Sequence, residues 1–234
     1  MIRINLWSSP RNVSTALMYS FAQRPDTAVV DEPLYAYYLN KSNAEHPGQQ
    51  EILQSQSADL QNVIDKVLLT NYTKPVTFFK QMTHHLYQTD LNFIKPFKNI
   101  IFIRNPRLII RSYSKVRNKV TMQDIGIAQQ LELLHFLKED AIVLDSTFLL
   151  QQPQECLTKL CERLSIPFYK EMLQWQPGVR KEDGVWAKYW YSNVHQSTGF
   201  KTFKAESFAM SADLEKLAEE CLPFYEELSK ISLK

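Results

Sequence analysis

The amino-acid sequence predicts an α/β domain with a mostly parallel central sheet. Short apolar, β-prone segments alternate with longer stretches of helical periodicity, which is the pattern of βαβ units. Residues 99–103, NIIFI, are apolar throughout, as a strand covered on both faces must be. Polar and charged residues gather just after the strand segments, at 9–15, 31–32, 80–85 and 104–107. In parallel sheets that edge, beyond the carboxyl ends of the strands, is where ligands lie.

The bulk numbers fit this class. A chain of 234 residues can bury one sizeable core, and residues 1–234 read as a single domain. Hydrophobic residues make up 44% and charged residues 22%, as in a water-soluble globular protein. A net charge of +2 supplies no global basic field for nucleic acid or an anionic membrane, so an anion site must come from a local cluster. No apolar stretch approaches a membrane span, and residue 2 enters a strand without the apolar core of a signal peptide. Cys156, Cys161 and Cys221 form no CxxC pair, and their odd number argues against a disulfide framework. The expected compartment is a reducing cytoplasm. Oligomeric state is not legible. The five glycines, at 48, 126, 178, 184 and 199, leave the chain without GxGxxG or GxxxxGK[ST], so neither dinucleotide nor Walker-type signature is present.

Residues 2–7 read as a buried strand, 8–12 as a turn and 13–21 as a helix. A strand, a tight loop and a helix start form phosphate-binding geometry. The first helical turn has unpaired N–H groups, and the helix dipole favours an anion there. Ser14 and Thr15 add hydroxyls, and the Arg11 guanidinium suits phosphate or sulfate oxygens. The same segment also reads as an ordinary helix start with an exposed arginine.

Thr27–Asp31 is a second strand, ending at Asp31-Glu32 and stopped by Pro33, with Tyr35, Tyr37 and Tyr38 crowding the next turn. Residues 41–50 read as a loop and 51–69 as one helix. A third strand covers 76–80, followed by Thr83-His84-His85. After the fourth strand, 99–103, Pro106 suits a helix start and 108–117 continue as helix. A helix at 122–138, a fifth strand at 141–144 and a helix at Pro153–Leu164 follow. Residues 176–200 break the alternation with three glycines and with Trp186, Tyr189, Trp190 and Tyr191. A long, aromatic-rich loop in such a domain is functional rather than disordered. Residues 214–228 close the chain as an amphipathic packing helix.

Four segments resemble the sulfotransferase family, whose members transfer sulfonate from 3′-phosphoadenosine 5′-phosphosulfate (PAPS). Ser9-Pro10-Arg11-Asn12-Val13-Ser14-Thr15 is similar to that family's 5′-phosphosulfate loop, with Val13 where the loop usually has glycine. Ile101-Phe102-Ile103-Arg104-Asn105-Pro106-Arg107, running on to Ser112, resembles its 3′-phosphate motif, in which an Arg and a Ser eight residues later touch that phosphate. Leu144-Asp145 through Pro153 to Ile166-Pro167-Phe168 is similar to a shared strand, turn and helix. Arg180-Lys181-Glu182-Asp183-Gly184-Val185-Trp186 loosely matches the loop that closes over the nucleotide. The resemblance spans roughly residues 2 to 200. It implies a three-layer P-loop-like α/β domain with a central parallel sheet, and PAPS as co-substrate without a metal. It also implies nucleotide contacts from Arg11, Asn12, Ser14, Thr15, Arg104, Ser112, Arg180 and Lys181.

The implied reaction is in-line transfer of sulfonate to a hydroxyl or amine, with Arg11 stabilising the developing charge. Two groups are candidates for the base. Glu32 resembles an acidic residue that some bacterial and polysaccharide sulfotransferases place after this strand, and a neighbouring carboxylate, Asp31, raises such a pKa toward neutrality. His84 and His85 follow Lys80 near the place where small-molecule members carry a histidine, although Met82 holds the usual spacing. Glu32 is the first candidate and His84 the second. Adjacent histidines point to opposite faces of a strand, which is poor for chelation. A nucleotide-dependent phosphotransferase and a non-catalytic nucleotide-binding module are the alternatives, the first lacking a Walker lysine. Tyr35 to Tyr38 and the aromatics of 186–191 suggest an aromatic or apolar small-molecule acceptor, and read equally well as core.

Overall fold

In the computed structural model, residues 1–117, 119–201 and 209–234 are described. They build a five-stranded, wholly parallel sheet from β1 (Ile2–Ser8), β2 (Thr27–Asp31), β3 (Val76–Met82), β4 (Lys98–Ile103) and β5 (Ala141–Asp145), in the order β2-β3-β1-β4-β5. β1 is central. The chain leaves it toward β2 and β3 on one side and reaches β4 and β5 on the other. The strand order therefore reverses beside β1, where parallel sheets open a crevice for ligands.

Side-chain alternation along each strand explains the all-apolar runs. Ile4 and Leu6 of β1, Phe78 of β3, Ile100 and Phe102 of β4 and Leu144 of β5 face one apolar layer. Trp7, Phe79, Ile101, Ile103 and Val143 face the other. Period-two alternation with both faces apolar means that helices must cover both, which gives the expected three layers. The first layer is closed by α1 (Ser14–Ala22) and, later in the chain, Pro153–Leu164, whose Leu157, Leu160 and Leu164 are buried there.

Between β2 and β3, Tyr35, Tyr37 and Tyr38 lie in a helix, α2 (Tyr35–Ser42), rather than a turn. The expected single helix at 51–69 is instead α3 (Gln49–Ser55) and α4 (Leu60–Val63), which runs on into a wider turn at Ile64–Leu68. The break has a local cause. Asp59 caps α4 by accepting from the Asn62 N–H at 2.7 Å, and so starts a new helix where periodicity alone continues the old one.

The second layer holds α5 (Pro106–Tyr113), α6 (Met122–Ile125) and α7 (Ile127–Leu137). The break between α6 and α7 falls at Gly126, whose φ of 70° ends α6 in the left-handed region. After β5 come α8 (Ser146–Gln151) and α9, the Pro153–Leu164 helix. The segment 176–200 is not wholly irregular, since it contains α10 (Ala187–Trp190) and α11 (Ser192–His195). The last helix, α12 (Ala212–Lys230), packs on α5 and α7 through Ala218, Cys221 and Leu228. Among the described residues no helix is long and apolar enough to cross a membrane.

Candidate active site

The loop after β1 is shaped by two residues that reach the left-handed region without being glycine: Arg11 at φ 58° and Val13 at φ 53°. For a β-branched residue this conformation costs about 1–2 kcal/mol, and strain of this kind concentrates at ligand sites. Val13, standing in for the expected glycine, keeps the backbone path a glycine would take. Neighbouring elements hold the end of β1 and its loop. Asn12 Nδ2 donates to the Phe102 carbonyl at 2.5 Å, Thr83 Oγ1 to the Ser8 carbonyl at 3.2 Å, and Gln130 Nε2 to the Trp7 carbonyl at 3.2 Å. α1 then starts with no side chain capping it, and Ser14 and Thr15 are buried in its first turn. An uncapped N-terminus behind a rigid loop presents N–H donors to an anion.

The loop after β4 meets the loop after β1. Arg104 Nη1 donates to the Arg11 carbonyl at 2.5 Å. Eight residues on, Ser112 in α5 accepts from Arg11 Nε at 3.1 Å. The Asn105 side chain accepts from the Arg107 N–H at 3.0 Å, and Pro106 occupies the first turn, so the helix start needs no ligand of its own. Burial lowers the pKa of Arg11 and of Arg104, and the Arg11 charge lowers that of Arg104 further. Neither arginine forms an ion pair among the described residues. Two adjacent, half-buried guanidinium groups with no ion-pairing acid between them among the described residues gather positive charge on the cavity wall, and the Asp145 charge offsets part of it at Arg104.

At the other side of the sheet, the carboxyl ends of β2 and β3 bring Asp31, Glu32 and Lys80 together. Glu32 also has positive φ, 39°, and its N–H donates to the Lys80 carbonyl at 2.7 Å. Lys80 Nζ donates to Glu32 Oε1, to Asp31 Oδ1 at 3.1 Å and to the Tyr191 hydroxyl at 2.6 Å. Tyr191 in turn donates to Asp31 Oδ2 at 2.8 Å and accepts from Trp186 Nε1 at 3.2 Å. Burial pushes Glu32 up to about 7, and the Asp31 charge adds to this while Lys80 opposes it. Burial disfavours the charge of Lys80, but Asp31 and Glu32 outweigh it and hold the ammonium above its usual range. A carboxyl poised near neutrality is what a general base at physiological pH requires.

His85 lies between two tyrosine rings, with Tyr35 and Tyr38 stacked on it at centroid distances of 4.6 and 4.9 Å. Its Nε2 is 3.9 Å from Glu32 Oε2. His84 is buried beside it, and burial pushes it down to about 3. His46, brought in by the loop after α2, makes a 2.7 Å hydrogen bond through Nδ1 with the Tyr35 hydroxyl, and burial lowers it to about 4.

One cavity of about 640 Å³ joins the two halves. Arg11, Asn12, Ser14, Thr15, Arg104 and Ser112 line it on the β1–β4 side, and Glu32, Lys80, His84 and His85 on the β2–β3 side. Arg180 and Lys181 are not among its lining residues. The Arg180 guanidinium sits 4.6 Å over the Tyr19 ring, and the Lys181 side chain is exposed. Sequence reasoning missed Tyr191 as the partner of Asp31 and Lys80. Its only signal was the density of aromatics in 186–191. It also missed His46, which gives no signal in a polar loop.

The Arg104 pocket yields a direct prediction. Removing the guanidinium in Arg104→Ala should cost on the order of 1.5–3 kcal/mol of binding to 3′,5′-bisphosphoadenosine (PAP), the range for a charge-assisted hydrogen bond, and much less for ADP. Calorimetry on both ligands reads the difference.

The fold is a three-layer α/β domain whose β1 and β4 loops, each carrying an arginine, meet beside β1 where the strand order reverses. The family is more specific. The sulfotransferase domain model matches residues 2–231, and the chain belongs to that family. It is 36% identical over 226 residues to "Branched-chain-amino-acid aminotransferase-like protein 1" of Arabidopsis thaliana and 34% identical over 226 residues to the protein 2 of the same name. Each match covers 95% of this chain but 40% of the relative, so the chain spans well under half the length of the curated relatives it matches. Solved structures share the fold. The sulfotransferase from Alicyclobacillus acidocaldarius has a TM-score of 0.62 at 12% identity, covering 98% of this chain and 95% of that one. The sulfotransferase domain of the Synechococcus PCC 7002 olefin synthase has a TM-score of 0.56 at 18% identity, covering 94% and 93%.

Proposed function

We propose that this chain transfers sulfonate from PAPS to the hydroxyl or amine of a small-molecule acceptor by in-line displacement. The observation that carries this reading is the 3.1 Å contact between Arg11 and Ser112, which sets two anion pockets side by side in the cavity that also holds Glu32. The donor set fits a ligand with two separate phosphate positions. The first turn of α1, with Ser14 and Thr15, takes the 5′ end, and Arg104 with Ser112 takes the 3′-phosphate. PAPS supplies an activated sulfonate. The chain's own residues do the rest. Asn12 and Thr83 hold the loop rigid, Arg11 is aimed at the group where charge accumulates, and Glu32 takes the acceptor's proton. Lys80 and Tyr191 hold the two carboxylates in place. The test is release of PAP from PAPS in the presence of hydroxyl and amine acceptors. Acceptor-dependent PAP release supports the reading, whereas phosphate transfer from ATP without any PAPS turnover contradicts it.

A further inference from the structure

α7 turns one face into the second apolar layer, and an amide stands in the middle of that face. Ile127, Leu133 and Leu137 are buried there at helical spacing. Gln130, three residues from Ile127 and from Leu133, is 0% exposed. An apolar side chain of similar size would fill the same space. A buried amide is stable only where its hydrogen bonds are met, so its partners show what the position does.

Those partners lie where the two arginine loops leave the sheet. Trp7 and Phe102 are the penultimate residues of β1 and β4, and the ladder between these strands ends at the Ser8–Phe102 pair. Gln130 Nε2 donates to the Phe102 carbonyl at 2.9 Å and to the Trp7 carbonyl at 3.2 Å. One side-chain amide therefore bridges both strands at the point where they part. Ser9 Oγ, just past β1, approaches the Gln130 Oε1 at 3.5 Å. Gln130 is not among the residues that line the cavity. Two further contacts tie the β1 loop to the β4 side, from Arg104 to the Arg11 carbonyl and from Arg11 to Ser112. Both use a guanidinium that a bound anion would also engage. The Gln130 bridge uses none, so it holds the strand ends whatever the arginines are doing.

We propose that Gln130 is a positioning residue for nucleotide selection. It fixes the separation of the β1 and β4 loops, and so favours a nucleoside 3′,5′-bisphosphate, which spans both, over a nucleotide held by one. This rests on the sulfotransferase reading, in which both loops hold the nucleotide. The lever from the amide to the site is short. Arg104 is two residues beyond Phe102, and Arg11 is four residues beyond Trp7. A shift of either carbonyl is carried through few bonds to a guanidinium. A ligand fixed at both ends feels that shift as a mismatch, and loops already at the right spacing spare it the cost of ordering them. A ligand fixed on one loop moves with that loop and feels little.

Gln130→Met keeps the length and bulk of the side chain and removes its donors. Calorimetric titration of wild type and variant with PAP and with ADP reads the effect. The expected result is that PAP affinity falls about tenfold while ADP affinity changes by less than about twofold, because a displacement on the order of 1 Å weakens chiefly the ligand held at both ends. Gln130→Asn keeps the amide on a stem too short to reach both carbonyls, and should also narrow the PAP-to-ADP ratio. It serves as the test if Gln130→Met does not fold. A folded variant that keeps the wild-type ratio overturns the proposal. So does an equal loss for both ligands, which is what a residue that only supports the core would give. If wild type prefers PAP and the variants keep that preference, only the role of Gln130 fails. If wild type itself binds PAP no better than ADP, the two-loop reading fails and the proposal falls with it.

Discussion

Glu32→Gln should lower turnover with PAPS by about 10²–10⁴-fold, the range for loss of a general base, while PAP affinity stays at the wild-type value. The amide nearly matches the carboxylate in shape and keeps an oxygen for Lys80, so the loss isolates the proton acceptor. The pH profile supplies a second readout. Glu32 works as a base only when ionised, so kcat/KM should rise with pH through a midpoint near 7, and Glu32→Gln should lose that limb. Stability moves the other way. The folded-state value, about 7, lies above the ordinary 4.5, so the native state binds the extra proton. This contribution is fully present below about pH 4.5 and is lost as the pH rises through 7. A chemical-denaturation series across that range should show wild type losing stability relative to Glu32→Gln. Near-wild-type turnover in Glu32→Gln, together with collapse in His84→Ala, would transfer the role to His84.

Arg11→Ala is the second large effect expected. Its guanidinium lies where the β1 and β4 loops meet and is fixed by Ser112. A donor preorganised for charge that develops in the transition state is worth about 10²–10³ in kcat. Turnover should therefore fall by that factor, and PAP affinity by much less. Arg11→Lys should recover little, because an ammonium cannot both reach the transferring group and hold Ser112 as a planar fork does. A loss confined to PAPS affinity, with kcat intact, would make Arg11 a binding residue only.

Much of this arrangement was legible in the residues, because the strongest signals are local. The all-apolar strands at 99–103 and 141–144 reported burial on both faces, and the structure places alternate residues in two separate layers. Thr27–Asp31 ends just before Glu32-Pro33, and Pro153–Leu164 begins on its proline, as the residues indicate. The eight-residue spacing of Arg104 and Ser112 placed both beside Arg11. What could not be read was tertiary. Periodicity in 51–69 cannot reveal that Asp59 turns inward on its own backbone to cap a new helix. Nor can it reveal that Tyr191, 160 residues beyond Asp31, returns to hold it. Val13 looked like a departure from the phosphate-loop pattern, yet its backbone occupies the left-handed region that a glycine would take. In the sequence His85 reads as the neighbour of His84, and in the fold it lies stacked against Tyr35 and Tyr38 with its Nε2 3.9 Å from Glu32 Oε2.

A nucleotide phosphorylated at both its 3′ and 5′ positions should engage both loops of the cavity at once. Calorimetric titration of the wild-type protein with PAP and with ADP tests it most directly, since only PAP carries the 3′-phosphate that Arg104 and Ser112 would hold. PAP should bind at least about tenfold tighter than ADP, as expected when one ligand makes an additional charge-assisted contact. Equal affinities for the two would contradict it.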